Sequence, residues 1–256
     1  MRAWGGIIIG LLILVCAVYI SGRTKEGFQE RTIDVVVARY REPIDWLTLL
    51  DEYPIRNVYI YNKGPEQVQC PAMRATCTQI QLPNTGVCDH TYLYHISNSY
   101  ERLADMTLFI PASAHNNSTK MPKVISALQK AVKEDKECMS GYMGDDTVYE
   151  TNKGFYLDTW KVTDEKNRDE GANFELAKAN PRPFGEWYKQ YVPQRETRLL
   201  SLQGIFAVKR ETIQEHPLSV YLTLQEQLAR DKFPEAAHYM ERSWGTLFPI
   251  APENLL

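Results

Sequence analysis

The chain has 256 residues, of which 44% are apolar and 24% charged. That suits one large domain or two small ones, and excludes disordered, collagen-like and coiled-coil chains. The net charge of −3 supplies no basic field, so nucleic acid is not an expected partner, and a single long apolar run excludes a multi-span membrane protein.

That run, Trp4 to Ile20, carries no charge. As a helix it reaches about 25 Å, close to a hydrocarbon core of ~30 Å. Trp4 and Tyr19 fit the two interfaces. We read it as an uncleaved single-pass membrane anchor rather than a signal peptide, because the best cleavage signal, Val15-Cys16-Ala17, lies inside the run. Residues 1–28 are then anchor and short stalk, and 29–256 one domain. Arg23, Lys25 and Arg31 after the span lean toward a cytoplasmic domain. Sequons at Asn116 and Asn117 and the even set Cys70, Cys77, Cys88 and Cys138 lean the other way, so the side stays open. The four cysteines are expected as reduced, partly buried thiols.

After the stalk, IDVVVARY (33–40) is a continuous β-branched run, the mark of a strand buried on both faces. DWLTLLDEY behind Pro43 predicts a helix, and NVYIYNKG (57–64) a second strand. Strand, helix, strand argues for a parallel sheet. Strand character returns up to Leu82, before a Pro-Asn-Thr-Gly turn. Leu93, Ile96, Tyr100 and Leu103 share a helical spacing and predict an amphipathic helix over 89–103. A strand follows at 105–113 and a helix at 120–138. The polar stretch 139–181 predicts loops with one short strand at 155–160. Residues 200–210 read as a strand interrupted by glycine, and two helices close the chain.

The motifs exclude more than they assign. Gly-x-Gly-x-x-Gly, the P-loop, Gly-x-Ser-x-Gly and His-Glu-x-x-His are all absent. Arg39 and Arg41 at the end of the first strand suit a diphosphate, and Tyr40 a base; the competing reading is a solvated loop. The turn holding Asn84 and Gly86 feeds a helix N-terminus, whose free N–H groups suit a phosphate or plain capping. Glu241 near Trp244 suits a general base or a surface ion pair.

Six segments in order carry a resemblance: VVVARYREPIDWL, VYIYNKG, LPNTGVCDHTYLYHISNSYERLADMTLFIPAS, RPFGEWY, GIFAVKRETI and HYMERSWGTLF. Together they span about Asp34 to Phe248, and the chain resembles an uncharacterised family, a domain of unknown function, of glycosyltransferase-like proteins from microbes and large viruses. That family is similar to nucleotide-sugar transferases with a single Rossmann-like domain, the GT-A architecture. The resemblance implies an α/β fold with a mixed, mostly parallel sheet. It implies transfer of a sugar from a nucleotide-diphosphate donor to a glycan or protein hydroxyl. The donor set it implies is Arg39, Tyr40, Asn62, Asn84, Gly86 and His90. The acceptor set is Arg182, Trp187, Gly204, Arg242 and Trp244, with Glu241 as catalytic base. Trp187 would offer its flat face to a sugar ring.

Two departures stand out. The resemblance implies an Asp-x-Asp holding Mn²⁺ or Mg²⁺, yet none occurs, and the relevant strand ends in Ile110-Pro111-Ala112-Ser113. The family's usual Gly-Arg-Glu before His-Thr-Tyr-Leu is here Gly86-Val87-Cys88-Asp89. No metal ligand is therefore assigned, and leaving-group charge would fall to Arg39, Arg182 or Arg242. A non-catalytic glycan- or nucleotide-binding module of the same fold is the alternative.

Overall fold

A computed structural model describes residues 31–159, 176–193 and 198–256. The expected membrane segment lies outside these residues, and no helix among those described is long and apolar enough to cross a membrane.

Six strands form one sheet: β1 (Ile33–Arg39), β2 (Asn57–Asn62), β3 (Thr76–Gln81), β4 (Met106–Pro111), β5 (Cys138–Met143) and β6 (Leu199–Lys209), in the order β3-β2-β1-β4-β6-β5. β3, β2, β1 and β4 run parallel, whereas β6 runs antiparallel to both β4 and β5. The expected α/β fold with a mixed, mostly parallel sheet is what the chain adopts. Every residue of β1 is buried. Val36 and Ala38 join Phe109, Phe206 and Trp244 on one face. Val35 and Val37 join Ile60, Leu108 and Leu128 on the other. Cover on both faces is why β1 reads as an unbroken apolar run.

The helices are α1 (Val87–Ser99), α2 (Lys120–Lys133), α3 (Asp146–Lys153), α4 (Phe184–Tyr191), α5 (Arg210–Gln214), α6 (Leu218–Leu228) and α7 (Glu235–Leu247). α1, α4, α6 and α7 bury their apolar faces in the first core; α2 packs in the second.

Several expectations need correction. The helix expected after Pro43 is a 3-10 turn, Asp45–Glu52. It lacks a side-chain N-cap and ends at Tyr53-Pro54, where the residue before proline disfavours the helical region. The helix expected over 120–138 stops at Lys133, because the chain turns back through Asp135, whose φ is 56°. That frees Cys138–Met143 to form β5, unforeseen in the sequence. Within the stretch expected as loops, Asp146–Lys153 forms the helix α3, and residues 155–159 form no strand. Finally, Cys70 and Cys77 are joined as a disulfide, not held as reduced thiols; Cys88 and Cys138 are free.

Candidate active site

β1 is flanked by β2 on one side and β4 on the other, both parallel to it, and the connections leave in opposite directions. A crevice opens beyond the carboxyl ends at such a switch in strand order. Here it is a cavity of about 350 Å³. Ala38, Arg39, Tyr40 and Glu42 reach it from the end of β1 and Lys63 from the end of β2. Asn84, Val87, Cys88 and Asp89 come from the turn into α1, Pro111 and Ser113 from the end of β4, and Lys120 from the start of α2. Gln203 of β6, Phe233, and Ala237, His238 and Glu241 of α7 complete it.

Backbone strain concentrates at two of these walls. Val87 and Gln203 hold φ of 52° and 70°, each beside a glycine, Gly86 or Gly204, that is also left-handed. A β-branched residue in that region is an outlier that only surrounding structure sustains. A Cβ on Gly86 would lie 2.6 Å from the Leu228 carbonyl oxygen, so the turn is pressed against α6. At the other wall, the Gln203 N–H donates to Glu241 Oε1 at 2.8 Å. The unusual Gln203 conformation thus fixes the carboxylate at the cavity.

Several sequence-derived site residues build the frame rather than the lining. Arg39 reaches the cavity, but its guanidinium donates to the Glu42 and Tyr40 carbonyls and to Asn62 Oδ1. Asn62 is fully buried, and its Nδ2 donates to the Gly64 and Glu66 carbonyls and Gln81 Oε1. This network ties the ends of β1, β2 and β3 together. His90 lies buried beneath the turn, with Nδ1 lacking a hydrogen bond. Tyr40, Asn84 and Glu241 do line the cavity.

The residues expected on the acceptor side do not converge there. Trp187 and Trp244 are fully buried in the core, so neither offers a face to a sugar. Trp244 Nε1 instead donates to Asp89 Oδ1 at 2.7 Å. Gly204 packs against Cys88 and Tyr92, leaving its neighbour Gln203 at the cavity. Arg182 pairs with buried Glu235, and Arg242 lies over the Phe155 ring. Neither lines this cavity.

The residues that sequence reasoning passed over are Lys63, Asp89, Lys120 and Gln203. Position just after the carboxyl end of a parallel strand was a signal for Lys63 alone, since Lys120 opens α2 well beyond β4. Burial brings Lys63 down to about 7, Cys88 and Asp89 opposing it. Burial, aided by the negative Glu241, raises Asp89 to about 7. Burial lowers His90, His95 and His238 to about 4, 3 and 4.

These shifts give a signed pH dependence. The three imidazoles take up protons on unfolding below about pH 6.5, so their contribution to stability is lost as pH falls toward about 4. Asp89 acts oppositely: its native carboxyl keeps a proton that the unfolded chain releases above about pH 4, so its contribution fades as pH rises to about 7. Three groups outweigh one, and the unfolding free energy should rise from about pH 4 to 6.5. Asp89→Asn, which keeps an oxygen for Trp244, should steepen that rise. Urea titrations of both proteins across the window check it; an unchanged or shallower slope in the variant contradicts the assignment.

Residues 35–254 match the family model described as "Protein of unknown function (DUF3431)". None of the curated proteins matches the chain. Among solved structures, the chain is similar to glucosyl-3-phosphoglycerate synthase from Mycobacterium tuberculosis in complex with uridine diphosphate. The identity is 14% and the TM-score 0.32, over 75% of this chain and 63% of that one. It is likewise similar to that enzyme with Mn²⁺, UDP-glucose and phosphoglyceric acid, at 14% identity and a TM-score of 0.33, over 80% and 69% of the two chains. The chain thus spans less than two thirds of the first of these structures. A likeness at this level assigns no residue of the cavity.

Proposed function

We propose that this chain, which belongs to the DUF3431 family, is a membrane-anchored glycosyltransferase moving a sugar from a nucleotide-diphosphate donor to a glycan or protein hydroxyl. The observation that carries the reading is the cavity at the switch in strand order with Glu241 fixed on its wall. Tyr40 supplies a stacking face for the base, and Asn84 and the turn into α1 meet the phosphates. Glu241 takes the proton of the acceptor hydroxyl as its oxygen bonds to the anomeric carbon. The diphosphate leaves with the electron pair of the broken bond, and one displacement inverts the configuration. The apolar run 4–20 tethers the domain to a bilayer. The Cys70–Cys77 bridge supports a position on the oxidising side, since disulfides persist where thiols are not kept reduced.

A thermal-shift series on the full chain with UDP-, GDP-, ADP- and dTDP-sugars tests this. One donor at 100 times its dissociation constant should stabilise by about 2.7 kcal/mol. A flat response to all four classes removes donor binding and the reading with it. One observation favours the binding module instead: Val87 and Cys88 line the cavity where the resemblance expects arginine and glutamate. A chain stabilised by a donor that releases no nucleotide on incubation with acceptors would select that reading.

A further inference from the structure

The GT-A resemblance implies a divalent cation on the donor diphosphate, held by carboxylates just past β4. The residues at that place do not fit one. The chain there reads Pro111-Ala112-Ser113, and the charged group facing the cavity beyond it is Lys120. Mg²⁺ and Mn²⁺ call for oxygen ligands, and a neighbouring ammonium repels them.

The carboxylates elsewhere on the walls each accept a hydrogen bond already, Glu241 through one oxygen only, which leaves its other for the acceptor proton. Glu42 Oε2 accepts the N–H groups of Tyr40 and Arg41. Asp89, only 3% exposed, accepts Trp244 Nε1 and the Cys88 thiol. Glu241 accepts the Gln203 N–H. Among the described residues, no three His, Cys, Asp or Glu side chains group as a metal-binding set.

Positive charge is supplied differently. Lys63 is 7% exposed, and its ammonium donates to the carbonyls of Thr85 and Val87, which fixes it at the turn into α1. Lys120 opens α2 from the β4 side and lines the same cavity; among the described residues its ammonium makes no hydrogen bond or ion pair. One lysine is anchored and the other uncommitted, and they reach the crevice from either side of β1, Lys63 directly after β2 and Lys120 from the first position of α2, beyond β4. That is an arrangement for an extended anion entering the crevice.

We propose that the diphosphate of the donor is bound without a metal ion, by the ammonium groups of Lys63 and Lys120. The inference rests on the transferase reading for its ligand. It moves the countercharge from the arginines expected in the sequence to two lysines, because Arg39 is spent within the frame and Arg182 and Arg242 lie away from the cavity.

Isothermal titration of the full chain with UDP, GDP and dTDP, each in Mn²⁺ and in EDTA, tests it. One nucleotide should bind with the same affinity, within about twofold, under both conditions. Lys120→Met should weaken it about 10- to 100-fold, the range for one charge-assisted hydrogen bond, and Lys120→Arg should restore most of the loss. Lys63 also holds the α1 turn, so Lys120 is the deciding position, measured on protein whose thermal unfolding matches the parent. Binding that requires Mn²⁺ overturns the inference and leaves the transferase reading standing. Undiminished affinity in Lys120→Met overturns it as well. No binding of any nucleotide in either condition overturns both.

Discussion

Replacing Glu241 with glutamine is expected to lower turnover by about 10²- to 10⁴-fold, the usual contribution of a positioned general base, with donor affinity unchanged within about twofold. Glutamine keeps an oxygen for the Gln203 N–H, and the Ser201 hydroxyl donates to the backbone carbonyl of residue 241 and not to its side chain. The hydrogen bonds at this position are therefore kept, and what is lost is the charge: proton acceptance, the 3.9 Å ion pair with Arg242 and the field on Asp89. In kinetic terms kcat and kcat/KM should fall together, which marks an interaction made only in the transition state. Calorimetric donor binding beside single-turnover rates separates the two. Full transfer activity in a folded Glu241→Gln protein would remove the residue from the mechanism.

Trp187→Ala should destabilise the protein by about 3–5 kcal/mol, the range for deleting a large aromatic from a core. Trp187 is fully buried, with the rings of Tyr191 and Tyr239 at 5.5 and 5.8 Å. Its Nε1 has no hydrogen-bond partner. Trp187→Phe therefore sacrifices no bond and should cost only about 1–2 kcal/mol, a volume change softened by removal of an unsatisfied donor. Denaturant midpoints for the two variants give the comparison. If Trp187→Ala instead kept its midpoint while the KM for acceptor rose, the side chain would be a sugar platform after all.

These two positions show where the sequence was informative. β1 was legible because a strand covered on both faces must be apolar at every position, and IDVVVAR is nearly that. β5 was not, because Cys138–Met143 has little strand character of its own and owes its state to pairing with β6. The left-handed Asp135 that ends α2 also has no clear sequence mark. At the cavity, Tyr40 and Asn84 could be picked out because strand ends and helix starts are visible in the pattern, whereas Glu241, in the middle of α7, was marked by the resemblance. Arg39 and Asn62 occupy the same kind of position yet lock the frame, and nothing local separates a polar group that faces a ligand from one that ties strands together. The tryptophans mislead similarly: a flat apolar ring suits both a core and a sugar. Lys63 and Lys120 gained meaning only once the parallel register brought β2 and β4 to either side of β1.

The disulfide also governs how the protein has to be made. Expression in a reducing cytosol would deliver the chain with Cys70 and Cys77 open, and the loop before β3 would be untethered in every assay above. Routing through an oxidising compartment, or refolding with a glutathione couple, closes it. Titration of thiols under denaturing conditions distinguishes the preparations, because the bridged chain shows two fewer than the fully reduced one. That count belongs at the head of any comparison of variants, since a batch difference in oxidation would otherwise be mistaken for an effect of the mutation.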